Sequence, residues 1–161
     1  MKKFLLAVLM AVLLFSLAVY AETDSLIGAA APDLNLPATG GKSVELQALR
    51  GKKLVLAFFT SWNRSGQAEL AALNDLFQTD RARLAVVAVS FDKKTKELKD
   101  YLAAAGLLFP VLQDKKLTSI DSYRITVIPT TFCINQDGVI EKAFVDYDDN
   151  VQKALEDWLK P

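Results

Sequence analysis

Chemistry has few places to reside in this chain. The sequence holds one cysteine, Cys133, and no histidine. A lone cysteine cannot close an intramolecular disulfide. Without imidazole there is no Ser-His-Asp triad, no Cys-His dyad and no histidine metal site. Cysteine-rich zinc sites fall with them, so no metal and no cofactor is expected. What remains is a turn-like run, Trp62-Asn63-Arg64-Ser65-Gly66, with Glu69 three residues on. To this are added a loop at Ile128-Pro129-Thr130 and the thiol of Cys133.

Each of these has a bland and a functional reading. Asn63 and Ser65 are residue types that cap helices by accepting bonds from unpaired backbone N–H groups. The turn is therefore expected to start a helix. Alternatively, the same N–H groups hold an anionic or carbonyl group of a ligand, with Arg64 adding charge. Asn63-Arg64-Ser65 also fits a three-letter glycosylation pattern. Glu69 is expected on solvated helix surface or in an ion pair, as most glutamates are. Trp62 reads equally as an exposed docking surface or as a lid over the end of a sheet. Cys133, between Phe132 and Ile134, is expected to be a buried small hydrophobe. The odd count leaves an intermolecular disulfide open.

The elements that must position these residues follow from periodicity. Residues 53–59 and 84–90 are continuous apolar runs, as strands buried on both faces are. Residues 67–78, with Leu70, Leu73 and Phe77, and 95–105, with Leu98, Tyr101, Leu102 and Ala105, carry helical stripes. A short strand over 109–113 and a short helix over 116–123 come next. Residues 131–135 and 139–145 flank Gln136-Asp137-Gly138, a hairpin signal. A last helix, with Asn150 as its cap, bears a stripe of Val151, Ala154, Leu155, Trp158 and Leu159. Ahead of all these, 32–36 and 43–46 alternate on either side of Gly40-Gly41 and predict a hairpin. The Asp-Lys-Lys triplets at 92–94 and 114–116 read as solvated loop charges. The order predicts an α/β fold with a mixed central β-sheet and helices on both faces.

The first 21 residues have a different character. Lys2 and Lys3 precede an apolar run, and Ala21 offers a small-residue cleavage site before Glu22, the layout of a signal peptide. The run from Phe4 to Ala21 covers 18 residues, borderline for a bilayer core of roughly 30 Å, so a retained anchor is the alternative. No lipid-attachment cysteine follows it. Residues 22–31 read as a tether and 32–161 as one domain. Removal of 1–21 leaves 17 basic against 19 acidic residues, a balance of −2 that argues against a nucleic-acid surface.

Three stretches together resemble the TlpA/ResA branch of the thioredoxin-like proteins, which grades into the redoxins (AhpC/TSA). Gly28-Ala-Ala-Ala-Pro-Asp-Leu-Asn-Leu-Pro37, followed by Gly41-Lys-Ser-Val44 and Leu49-Arg-Gly-Lys52, is similar to that family's N-terminal hairpin extension. Phe58 to Glu69 is similar to its active-site turn, a Trp-Cys-x-x-Cys segment followed by x-x-Glu. Tyr123 to Phe132 is similar to its cis-proline loop. The resemblance covers essentially all of 22–161 and implies a thioredoxin fold with a cis bond before Pro129. It places the two family cysteines at positions occupied here by Asn63 and Gly66. Thioredoxin chemistry needs a thiolate at a helix N-terminus and a resolving thiol three residues on. Neither sulfur exists here, and asparagine also stands where a peroxidatic cysteine would. Glu69 matches the family carboxylate that moves protons to and from the dithiol.

The resulting expectation is a non-catalytic module in the bacterial periplasm, or on the periplasmic face of the inner membrane if the first segment is retained. It would bind a protein or peptide through Trp62–Gly66 and through Ile128, Pro129 and Thr130, Ile128 offering its backbone for strand addition. Two other readings compete. One is a single-thiol oxidoreductase or peroxidase acting through Cys133; the other is an accessory subunit in which neither loop binds anything.

Overall fold

A computed structural model describes residues 25–41 and 44–160. The signal or anchor segment lies outside them. Among the described residues no helix is long and apolar enough to cross a membrane.

Five strands form one mixed sheet: β1 Lys53–Phe59, β2 Leu84–Ser90, β3 Val111–Gln113, β4 Thr130–Ile134 and β5 Ile140–Val145. Their order across the sheet is β3-β2-β1-β4-β5. β1, β2 and β3 run parallel; β4 pairs antiparallel with β1, and β5 antiparallel with β4. β1 and β2 are buried nearly end to end, so their apolar runs serve both faces. Leu54, Leu56 and Phe58 point to one side, Val55, Ala57 and Phe59 to the other.

The second of these faces carries α1 (Arg64–Thr79), α2 (Thr95–Ala105) and α4 (Asp149–Leu159), which pack Leu70, Leu73, Leu98, Leu155 and Trp158 against it. The first carries α3 (Thr118–Tyr123) and the N-terminal segment. Tyr123 there sits against Phe58 and Phe132, with ring centroids 5.0 and 5.3 Å apart. The thioredoxin fold is the result.

Among the described residues, which leave out 42 and 43, the hairpin expected between 32–36 and 43–46 is not formed. Among the described residues the segment makes two isolated bridges, Ala30 with Val139 and Ala38 with Leu112, and a 3-10 turn over Leu46–Leu49. Its alternation served packing rather than self-pairing. Leu26, Leu34, Leu36 and Leu46 are all buried at 8% exposure or less. At about 2 kcal/mol per buried leucine, this outweighs the roughly 1 kcal/mol of any single bridging hydrogen bond.

Three helix starts also differ, α3 beginning at Thr118 rather than at 116. α1 begins at Arg64, a turn earlier than the apolar stripe, because Asn63 caps it. α4 is capped by Asp148, whose Oδ1 accepts from the Val151 N–H at 2.9 Å, rather than by Asn150. The Asp-Lys-Lys triplets are only half solvated. Their lysines are exposed, but Asp92 and Asp114 are 5% and 1% exposed. Each carboxylate is held by hydroxyl and backbone donors, which is what permits its burial.

Candidate functional site

Three loops meet at the start of α1. Asn63 has extended backbone (φ −84°, ψ 118°), and its Oδ1 accepts from the Gly66 N–H at 3.0 Å, the geometry of a helix cap. The other end of the same amide reaches across: Nδ2 donates to the Ile128 carbonyl at 3.2 Å. Asn63 thus joins the turn to the loop that carries the cis Ile128–Pro129 bond. Thr130 braces that loop from inside, its hydroxyl donating to the Val127 carbonyl at 2.7 Å. At 1% exposure it offers no surface to a partner. Ser65 does not cap. Its hydroxyl faces outward to Asp146 Oδ1 at 2.6 Å and the Tyr147 carbonyl at 3.2 Å, drawing in the loop after β5.

Gly66 fits closely into this junction. A Cβ at this position would lie 3.3 Å from Phe59 Cβ and 3.9 Å from Pro129 Cβ. Trp62 stands 70% exposed, so it is no lid. Val127 is 37% exposed. Each is the residue just before a partner in the Asn63–Ile128 hydrogen bond, so the two apolar side chains flank the same junction. Arg64 is exposed beside them.

Behind the turn lies a network that sequence reasoning missed. The Ser61 N–H and hydroxyl both donate to the Asp92 carboxylate at 2.8 Å, and Ser90 Oγ adds a third bond at 2.7 Å. These bonds fix the chain where it leaves β1. The available signal was the pair of short polar residues at the carboxyl ends of adjacent strands, Ser61 after β1 and Asp92 after β2.

Glu69 departs most from expectation. It is 0% exposed rather than solvated, and its Oε1 accepts from Thr131 Oγ1 at 2.6 Å. Its Oε2 and the Thr60 hydroxyl are buried without a hydrogen-bond partner. Burial pushes the Glu69 carboxyl up to about 7; the Thr131 hydrogen bond opposes this, and the negative Asp146 adds to it. A carboxylic acid that titrates near neutrality is suited to proton transfer. No thiol stands at positions 63 or 66 to exchange a proton with it.

Cys133 lies in β4, paired with Val55 on one side and Lys142 on the other, and is fully buried. Burial pushes its thiol far above the ordinary range. Native protein is therefore expected to resist Ellman's reagent for hours, whereas denatured protein reacts within minutes at one thiol per chain. Rapid native modification would contradict the burial.

Residues 27–143 match the AhpC/TSA family. Among characterised relatives, the chain is 35% identical over 121 residues to the thioredoxin-like protein YneN of Bacillus subtilis, an alignment covering 73% of this chain and 71% of that one. It is 29% identical over 135 residues to the thiol-disulfide oxidoreductase ResA of Bacillus anthracis, covering 83% and 77%. Among solved structures it is similar to a Chlorobium tepidum protein assigned as the thiol:disulfide interchange protein DsbE. The TM-score there is 0.77 at 30% identity, over 81% of this chain and 93% of that one.

Proposed function

The chain belongs to the AhpC/TSA family, in its TlpA/ResA-like thioredoxin branch, and from that premise we propose that it is an exported binding module that performs no dithiol exchange. The observation that carries the proposal is the junction itself. Both family cysteine positions lack sulfur, while the surface around them keeps an exposed Trp62 and Val127 beside the cis-proline loop. An exposed indole at a rigid junction is the kind of residue on which interfaces concentrate their energy.

A partner segment in extended form would lie along Val127–Ile128 and cover Trp62. The Ile128 carbonyl already accepts from Asn63. A carbonyl oxygen has two lone pairs, so an added strand can bond to it as well. Export rests on the basic, apolar and small-residue pattern of residues 1–21, with the periplasm as the compartment in a bacterium.

The test is to pan a displayed library of cysteine-free peptides on residues 22–161. The recovered peptides should shift the emission of Trp62, and Trp62→Ala should weaken them about tenfold or more. As an exposed residue, Trp62 can be replaced with little change in stability. Peptides that bind the variant as tightly as the native protein would place the binding surface elsewhere.

A further inference from the structure

A cavity opens past the carboxyl end of β3, lined by none of the residues of the Asn63 junction. Its volume is about 640 Å³. One wall is the N-terminal segment, strapped to the β3 edge by three hydrogen bonds. The Gln113 N–H donates to the Pro37 carbonyl at 3.0 Å, and the Thr39 N–H and hydroxyl donate to the Val111 carbonyl at 2.9 and 3.1 Å. That wall presents Pro37 and Ala38 between the polar Asn35 and Thr39, with Leu36 largely buried behind them. The facing walls bring Lys99 from α2 and Lys115 and Lys116 from the turn after β3.

The charge of this cavity is unbalanced. The ion pairs among the described residues are Asp80–Arg83, Lys94–Glu97, Lys96–Asp100 and Asp157–Lys160, and none involves Lys99, Lys115 or Lys116. The one acid in the lining, Asp114, is 1% exposed and already taken up by other donors. Its carboxylate accepts from the N–H and hydroxyl groups of Thr118 and Ser119 at 2.7 to 3.2 Å. The floor is fixed too, because Gln113 donates to the Asp92 carbonyl at 2.7 Å and accepts from the Thr95 hydroxyl at 3.2 Å. A hydrogen-bonded floor, a small apolar patch at Pro37 and Ala38, and three cations outside any ion pair on two separate elements make a site of defined chemistry.

We propose that this cavity binds a small organic dianion, two carboxylate or phosphate groups joined by a short apolar body. One acidic group would be met by Lys99, the other by Lys115 and Lys116, with the body against Pro37 and Ala38. Crevices beyond the carboxyl ends of parallel strands are where α/β proteins commonly hold ligands. This site needs nothing from the Trp62 junction, so either can fail without the other.

The experiment is an NMR titration of residues 22–161 with suberate, with inorganic pyrophosphate, and with octane-1,8-diol as the uncharged body. Suberate is expected to shift the amides of residues 36–39 and 113–116, and the diol to leave them in place. The triple variant Lys99→Gln, Lys115→Gln, Lys116→Gln should weaken suberate binding about tenfold or more, with Lys153→Gln, outside the cavity, as a control that does not. If pyrophosphate binds there more tightly than suberate, the site is a phosphate site; the reverse order makes it a carboxylate site. Shifts scattered over surface lysines, equal binding of the diol, or an unweakened triple variant would each overturn the proposal.

Discussion

Asn63→Cys combined with Gly66→Cys is expected to turn a chain that leaves protein disulfides intact into one that reduces them, using dithiothreitol as the electron donor. The geometry for this is already present. Position 63 caps a 16-residue helix, where the unpaired N–H groups and the helix dipole favour a thiolate. Position 66 lies one turn further on, behind it, with backbone that any residue can adopt. Its new Cβ meets Phe59 Cβ at 3.3 Å, a contact relieved by a shift of a few tenths of an ångström. Replacing the asparagine removes a cap and its bond to Ile128, at a cost of about 1 kcal/mol, too little to unfold a domain of this size. Glu69 would then stand behind a dithiol with a proton to exchange. Insulin reduction should rise by an order of magnitude or more above a donor-only blank, with native protein at the blank. Activity in the native protein would undo the reading of a chemically silent site.

Glu69→Gln is expected to stabilise the protein at pH 8 and to change it little at pH 5. The carboxyl moves from 4.5 when unfolded to about 7 when folded. Its contribution is therefore fully present below about pH 4.5 and is lost as the pH rises through 7, because the folded state must then bury a charge. At 1.36 kcal/mol per unit the native protein should lose about 3 kcal/mol across that window. With no histidine in the chain, few other side chains titrate there. The hydrogen-bonded carboxylates, such as Asp114 and Asp148, are held below their usual values and act at lower pH, with the opposite sign. Urea unfolding at the two pH values, native against variant, is the measurement. Parallel pH dependences in the two proteins would mean that Glu69 ionises without cost and that its burial has been misjudged.

The strands show what a sequence discloses well. Residues 53–59, 84–90 and 95–105 read as two strands and a helix with the bounds they have in the structure. The strands are uninterrupted apolar runs and the helix a periodic stripe, and each is packed by the residues that define its pattern. Glu69 was misplaced because glutamate is usually solvated, although its position said otherwise. With Gly66, Leu70 and Leu73 it completes one i, i+3, i+4, i+7 stripe, and all four are buried. The N-terminal segment failed for another reason. Alternation reports that a stretch packs on one face but does not name what it pairs with. The partners of Ala30 and Ala38 lie about a hundred and about seventy residues away, at Val139 and Leu112. The Asn63–Ile128 bond was equally out of reach, since it depends on two loops meeting.

The rims of the sheet carry one more implication, for behaviour in company. A strand at a border presents open N–H and C=O groups to which another chain can add. At the β3 border that invitation is withdrawn, because Pro37 and Thr39 have already taken up Val111 and Gln113. At the β5 border, Glu141 and Lys142 face solvent side by side, with Glu141 held by the Trp158 indole N–H at 2.8 Å. Fixed charges there make stacking of copies edge to edge unfavourable. Both borders of the sheet are thereby closed to pairing with a second copy of the chain.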